Sequence, residues 1–221
     1  EAMKQTRRSG DERRDQIARL GLAIVDEQGS GALSIASVAH RVGVSPSALY
    51  RHFPDKNAMV EQMLARLATG VRANLESATL EAKVDALEAL GAFLNRHVAF
   101  VLENRGFPML IFSDLVLQHA GRRAFMGGML DSFRSVIADL LREGQRQGRV
   151  RPDLDPEAAA FAYFGLFMPA ALAWHLSGGR TDLTGTVRRA WAVFVAGIQA
   201  PPRPASRARG ARRTHRQEKR P

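Results

Sequence analysis

The residues best suited to chemistry lie together in one short stretch, residues 34–56. Its second half combines small side chains with hydroxyl, imidazole and guanidinium groups at Ser45, Pro46, Ser47, Ala48, Tyr50, Arg51 and His52. On a short helix, such groups suit hydrogen bonds to phosphates and base edges in a DNA major groove, which is about 12 Å wide. The stretch therefore predicts a surface that contacts DNA; the alternative is an ordinary helical hairpin in an all-α core.

Two helices are expected to position these side chains. Ser34 is a good N-cap for a first helix, whose apolar residues follow at the spacing of one face, Ile35, Val38, Ala39 and Val42. Gly43 permits a tight turn. Ser45 caps a second helix that has Pro46 at its first position, and Pro54 ends it. Two helices joined by a short turn containing glycine describe a helix-turn-helix.

This pattern resembles the DNA-binding segment of the tetracycline-repressor (TetR) family of bacterial regulators. The resemblance rests on positions that agree in register, namely Ile35, Val38, Ala39, Gly43, Val44, Ser45, Leu49, Tyr50, His52, Phe53 and Lys56. Ser47 departs from the glycine that the family often has there, which alters the surface that reads bases. The resemblance is strong over residues 11–67 and modest over residues 143–176.

The resemblance also suggests how the DNA contacts divide. It implies that Lys56 contacts a phosphate, and the phosphate-binding group is expected to comprise Ser34, Tyr50, His52 and Lys56. The side chains nearer to base edges are expected to be Ser45, Ser47, Ala48 and Arg51. Arg51 is equally suited to the O6 and N7 atoms of guanine and to a phosphate.

The composition limits the other classes of function. The 221 residues are 45% hydrophobic and include no cysteine, which excludes disulfides and thiolate metal sites. We find no run of 18 or more apolar residues and no apolar core of a signal peptide near the N-terminus, so a soluble cytoplasmic protein is expected. Motifs typical of hydrolases, metalloproteases and phosphate-binding loops are missing, so neither catalysis, a metal nor a cofactor is predicted.

The net charge of +10 is concentrated at the C-terminus. From residue 201 onward there are eight basic residues and one acid, which leaves only +3 for residues 1–200. Segments of this composition are expected to be disordered, although they often contact nucleic acid. Residues 4–10 are also basic, and a frayed terminus is favoured over an arm that touches DNA.

Helical periodicity predicts an all-α chain. A first helix is expected over residues 11–28, before the helix-turn-helix. After it, Asp55 caps a long helix over residues 56–77. Further helices are expected over 81–104, 109–118, 122–147, 156–176 and 186–199. We therefore predict a three-helix DNA-binding domain over residues 11–56, a helical effector-binding and dimerisation domain over 57–200, and a tail over 201–221.

The segment 156–176 is apolar on all sides, so it must be covered on all sides. Packing one face on its own domain and another on a second copy would achieve this, which predicts a homodimer through residues 156–176 and 186–199. The alternative is a central helix buried within a monomer. The TetR resemblance implies the dimer, with the last two helices forming a four-helix bundle across it.

The C-terminal half is rich in phenylalanine and methionine, which suit a pocket for an apolar ligand. The candidate lining residues are Phe93, His97, Phe100, Phe112, Phe125, Met129, Phe133, Phe164, Met168 and Trp174. For any one of them, core packing is the simpler interpretation, but the family resemblance implies a pocket. His97, His119 and His175 are candidates to orient its ligand.

Together these patterns predict a repressor that leaves a palindromic operator when a small apolar effector tilts the fourth helix. Two alternatives remain open at this stage. One is a helical carrier or enzyme for hydrophobic molecules, and the other is a protein that binds DNA without sequence preference through its tail. A salt-dependent DNA-binding assay separates them.

Overall fold

The computed structural model describes residues 10–201, and almost every described element is a helix. The helices are α1 (Gly10–Gln28), α2 (Ile35–Val42), α3 (Pro46–Tyr50), α4 (Lys56–Glu81), α5 (Ala86–Glu103), α6 (Phe107–Ile111), α7 (Asp114–Leu117), α8 (Ala120–Arg146), α9 (Pro156–Phe164), α10 (Met168–Leu176) and α11 (Leu183–Ile198). A single 3-10 turn, Ser30–Ala32, joins α1 to α2. Within the described range the only β pairing is an isolated bridge between Val150 and Gln199. The all-α prediction is confirmed. The predicted tail, 201–221, and arm, 4–10, lie outside the described range except for Pro201 and for Gly10, which begins α1.

The helix-turn-helix forms because its ends are capped by its own side chains. Ser34 Oγ accepts a hydrogen bond from the Ser37 backbone N–H at 3.0 Å, and Ser37 Oγ accepts one from the Ser34 N–H at 2.9 Å. Gly43 ends α2 in the left-handed region, with φ of 76°, which few other residues adopt without strain. Leu49 and Phe53 are buried, which holds α3 against α2.

The long helix α4 begins where Asp55 Oδ1 accepts a hydrogen bond from the Ala58 N–H at 2.8 Å. It extends to Glu81, four residues beyond the predicted end. At about 1.5 Å per residue, its 26 residues span about 39 Å. The predicted apolar stripe is buried, including Met59, Met63 and Val71. Because α4 packs on α1 at one end and on α5 and α8 further along, it connects the helix-turn-helix to the rest of the chain.

Several predicted boundaries in the C-terminal half are wrong, including that of the last helix, which begins at Leu183 after an Asp182 cap and not at residue 186. The helix expected over residues 81–104 begins only at Ala86, because Asp85 Oδ1 accepts hydrogen bonds from the Leu87 and Glu88 N–H groups and caps it there. The helix expected over residues 109–118 is two short helices, α6 and α7, separated at Phe112 and Ser113.

The helix expected over residues 156–176 is also two helices, α9 and α10. By length and composition Pro156–Leu176 is apolar enough to cross a membrane, with a mean hydropathy of 1.4 in its best window, contrary to the expectation that no such segment exists. The break follows from Pro169, which lacks the N–H that would continue a helix through Gly165. Each helix has nine residues and spans about 14 Å, well short of the roughly 30 Å of a bilayer core.

The N-terminus of α6 lies directly against α1. A Cβ atom added to Gly106 would lie 2.1 Å from the backbone oxygen of Leu22, so only glycine fits at this contact. Nearby, Asp26 on α1 pairs with the Arg105 guanidinium at 3.2 Å and lies 3.6 Å from the ring of His175 on α10. The helices of the C-terminal half are therefore in backbone contact with the helix that supports the helix-turn-helix.

Candidate nucleic-acid interface and ligand cavity

The surface of α3 is polar and exposed, as the sequence predicts. Leu49 points into the core, and the exposed positions around it are Ser45, Pro46, Ser47, Tyr50 and Arg51. Ala48 and His52 are half-buried. The Ser45 and Ser47 hydroxyls are 2.9 Å apart and share a hydrogen bond, while Ser45 Oγ also caps the helix. This helix presents hydroxyl groups and a guanidinium to an approaching ligand.

Two further candidate DNA contacts lie at the starts of the neighbouring helices. Ser34 is the half-buried N-cap of α2, and Lys56 is the half-buried first residue of α4. Helix N-termini attract anions because their backbone N–H groups are unpaired and the helix dipole is positive there. A serine and a lysine at these two ends therefore suit phosphate binding.

The charges of the segment are divided between paired and unpaired groups. On α2, Arg41 donates hydrogen bonds of 2.6 and 2.5 Å to Glu27, and this lowers the pKa of the Glu27 carboxyl. Arg51 and Lys56, in contrast, make no ion pair with any residue between 10 and 201. Their positive charges are thus available to an external anion.

A cavity of about 280 Å³ lies among α4 to α10. Six of the ten predicted lining residues surround it, namely His97, Phe112, Met129, Phe133, Phe164 and Met168. The sequence prediction missed the others, which are Val71, Phe107, Ile111, Leu117, Met126, Gly127, Leu130 and Phe167. Apart from His97, every lining side chain is apolar. Phe112, Leu117 and Leu130 are also exposed to solvent, which places them at its mouth.

The other four predicted residues do not line this cavity. Phe93 lies behind it and stacks on the His97 ring at 5.6 Å, and Phe100 packs edge-on against Phe107 at 5.9 Å. Phe125 faces a separate groove beside α4. Trp174 lies 4.8 Å below the Arg105 guanidinium, near the contact between α10 and α1.

His97 is the only polar side chain in the cavity wall. It is 3% exposed, and its Nδ1 atom has no hydrogen-bond partner among the described residues. Aromatic rings surround it, the nearest being Phe167 at 4.3 Å between ring centroids. Because burial disfavours the charged form, the pKa of the imidazole falls to about 4.

The other two candidate histidines have local roles. The Nδ1 atom of His119 accepts a hydrogen bond from the Arg122 N–H at 3.4 Å and caps α8. His175 faces Asp26. Neither belongs to the cavity wall, and residues 10–201 hold no cluster of three or more potential metal ligands.

Arg122, which the sequence did not single out, connects the cavity wall to the start of α4. Its guanidinium is buried and donates hydrogen bonds of 2.7 Å to the Leu115 carbonyl and to Asn57 Oδ1. Asn57 is the neighbour of Lys56 in the first turn of α4. Glu61, one turn later, lies 3.8 Å from the same guanidinium. The junction of α7 and α8 is therefore hydrogen-bonded to the N-terminal end of α4, beside the helix-turn-helix.

Comparison with known proteins identifies similar chains over most of this length. The model of bacterial regulatory proteins of the tetR family matches residues 19–63, and that of the tetracyclin repressor-like C-terminal domain matches residues 83–198, more than half of the chain. The transcriptional repressor KstR2 of Mycolicibacterium smegmatis is 25% identical over 189 residues, which cover 84% of this chain and 90% of the relative.

Solved structures share the fold. The ketosteroid regulator KstR2 of Mycobacterium tuberculosis has a TM-score of 0.71 at 20% identity, covering 86% of this chain and 96% of that one. FadR from Bacillus subtilis, solved in complex with stearoyl-CoA, has a TM-score of 0.68 at 18% identity, covering 84% and 99%.

Proposed function

The chain belongs to the TetR family of bacterial regulatory proteins, and from this premise we propose that it is a dimeric DNA-binding repressor released from a palindromic operator by a small apolar molecule. One observation carries the proposal. Lys56 begins α4 beside the helix-turn-helix, and Val71 of the same helix lines the cavity about 22 Å further along. A single helix thus connects the candidate DNA contacts with the candidate effector site.

In the DNA-bound state, α3 lies in the major groove and its neighbours hold the backbone. Ser34, Tyr50, His52 and Lys56 bind phosphates, and Ser45, Ser47, Ala48 and Arg51 face base edges. We assign this role to residues 11–56 and effector binding and dimerisation to residues 57–200. A regulator of this kind acts in the cytoplasm, where its operator is.

Dimerisation is supported by the apolar surface that α9, α10 and α11 leave uncovered in one copy. Only a third of the apolar window within Pro156–Leu176 is buried. The exposed side chains include Phe161 at 66%, Leu176 at 74% and Val193 on α11 at 75%. Large apolar patches of this type mark interaction sites, and a second copy would cover this one symmetrically. The helix-turn-helix segments of the two copies would then contact half-sites related by a two-fold axis.

The effector acts on DNA binding through contacts at two points. Within the cavity it touches Val71 on α4 and the α8 residues Met126 and Met129, and Arg122 on α8 is hydrogen-bonded to Asn57. A ligand that moves α8 relative to α4 therefore changes the position of the first turn of α4. Such coupling amounts to about 1–3 kcal/mol in ordinary allosteric proteins.

The proposal is tested by selecting an operator from random double-stranded DNA and measuring its affinity by fluorescence anisotropy across a salt series. We expect Lys56→Gln to weaken binding and to reduce the slope of log K against log salt by about 2 for a dimer, because each copy loses one phosphate contact. Lys83→Gln, at an exposed position in the turn after α4, is the matched control and should retain the wild-type slope.

A second variant separates the proposal from its rivals. Removing residues 202–221 should lower affinity and the salt slope but leave the preference for the selected operator intact. Loss of that preference would favour binding through the tail. A complete lack of DNA binding at low salt would contradict the proposal and favour a carrier of hydrophobic molecules.

A further inference from the structure

The cavity wall contains one group that its apolar surroundings do not explain. An imidazole has one donor and one acceptor nitrogen when neutral, and the Nδ1 atom of His97 has no partner in the described chain. Leaving a buried polar atom unpaired costs free energy, and such atoms are uncommon in native proteins. His97 is 3% exposed and belongs to the wall of a cavity of about 280 Å³, so a ligand bound there can supply the missing hydrogen bond.

The remaining wall limits the charge of that ligand. None of the other thirteen lining residues is ionisable or carries a polar side chain. An anionic group placed in such a wall would lose its hydration without gaining a cation, which is strongly unfavourable. His97 does not supply the cation, because its imidazole remains neutral at physiological pH.

The size of the cavity also favours a small, uncharged ligand. At about 280 Å³, the cavity is slightly smaller than the roughly 300–1,000 Å³ of ordinary ligand sites. Stearoyl-CoA, which is bound in the FadR structure, carries phosphate groups that need basic partners. The wall described here contains neither lysine nor arginine.

We propose that His97 forms a hydrogen bond with one uncharged hydroxyl or carbonyl group of a compact, otherwise apolar ligand, and thereby selects such ligands over carboxylates and coenzyme A thioesters. The inference rests on the proposed function in that it takes the cavity as the effector site. His97 is the specificity-determining residue, and the phenylalanine and methionine side chains provide the apolar contact area.

The test compares three probes with the same ring system: 2-naphthol, naphthalene and 2-naphthoate. Each is titrated at pH 7.5 into the full-length protein, and NMR of the Met126, Met129 and Met168 methyl groups reports binding in the cavity itself. We expect 2-naphthol to bind roughly three- to tenfold more tightly than naphthalene, because one hydrogen bond is gained. 2-Naphthoate should bind at least tenfold more weakly than 2-naphthol.

Two variants locate the effect at His97. His97→Phe keeps an aromatic ring but removes the hydrogen bond, so 2-naphthol and naphthalene should bind equally. His97→Gln keeps a donor and an acceptor and should preserve the preference for 2-naphthol. If His97→Phe fails to fold, the wild-type series and the ¹⁵N shifts of the His97 ring nitrogens on adding 2-naphthol still decide the question.

Operator binding without any probe is measured on the same protein samples. Equal affinities for all three probes, tightest binding of 2-naphthoate, or no methyl shift with any probe would each overturn the inference. If operator binding is intact in such a case, the proposed function stands without it. If no operator can be selected while 2-naphthol still binds as expected, the proposed function fails and the ligand preference of the cavity stands.

Discussion

At the scale of single residues, the burial of His97 makes stability depend on pH. The folded chain holds this imidazole neutral down to pH of about 4, whereas its pKa in an unfolded chain is about 6.5. Between these values the unfolded state binds more protons, so the free energy of unfolding decreases as the pH falls. This contribution is fully present above pH 6.5 and is lost as the pH approaches 4.

We therefore expect the wild-type chain to lose about 2–3 kcal/mol of stability between pH 7 and pH 4.5 through this one group. Urea unfolding at the two pH values measures the loss, and His97→Gln should be less sensitive to pH by that amount. His40→Gln, on the exposed surface of α2, serves as the control. An unchanged pH dependence in His97→Gln would show that the buried imidazole is not responsible.

The sequence identified the kinds of residue around the cavity better than their exact positions. Phe93 and Phe133 both lie on apolar helix faces, and both are buried. Only Phe133 lines the cavity, because Phe93 lies one layer behind it, against His97. Helical periodicity shows which side of a helix faces inward, but it does not show where the packed side chains leave a space.

At the scale of elements, the hydrogen bond between Arg122 on α8 and Asn57 on α4 connects two residues that are 65 positions apart in the chain. We expect Asn57→Ala to leave a buried guanidinium nitrogen unpaired and to cost about 1–3 kcal/mol of stability. Hydrogen exchange should increase both in the first turn of α4 and at the junction of α7 and α8. Faster exchange in the first turn of α4 alone would show that the hydrogen bond does not connect the two helices.

Glu61→Ala is the matched control for this prediction. Glu61 lies one turn further along α4, is 59% exposed and is 3.8 Å from the same guanidinium. Exposed ion pairs contribute little because water screens them, so this variant should change neither stability nor exchange by a measurable amount.

The elements that the sequence predicted best are those with caps in the sequence itself. Ser34, Ser45 and Asp55 begin α2, α3 and α4 at the predicted positions. The segment 156–176 shows the opposite case, since uniform apolarity marks no boundary within it. Pro169 was the available signal for the break, and its effect on the preceding turn outweighs the apolar pattern.

At the scale of the whole molecule, the uncovered apolar face of α9 to α11 decides the oligomeric state. We expect Val193→Arg to convert the dimer to a monomer, because burying an unpaired charge between the two copies is costly. Operator affinity should fall at least tenfold, because a single helix-turn-helix binds only one half-site. Light scattering after size-exclusion chromatography measures the mass.

Val84→Arg provides the comparison for that variant. Val84 is 89% exposed in the turn between α4 and α5, far along the chain from α11. The Val84→Arg variant should have the mass and the operator affinity of the wild-type dimer. If Val193→Arg remains a dimer, the contact between copies lies elsewhere on the surface.

The overall arrangement followed from a short motif, whereas the cavity did not. The helix-turn-helix lies within 23 residues, 34–56, and these residues carry the family resemblance that implied the fold. The cavity requires side chains from α4 to α10 to converge, and these are spread from Val71 to Met168. Long-range packing of that kind leaves no local pattern in a single sequence.

The close contact between Gly106 and the Leu22 carbonyl limits how such a chain can diverge after gene duplication. A mutation that adds even one methyl group at Gly106 separates α6 from α1, so that position has almost no freedom to drift. Met126 and Leu130 lie at or near the cavity mouth on α8, which packs mainly against α4, α5 and α9. Descendant copies can therefore acquire new effectors by substitutions at the mouth while they inherit the same operator.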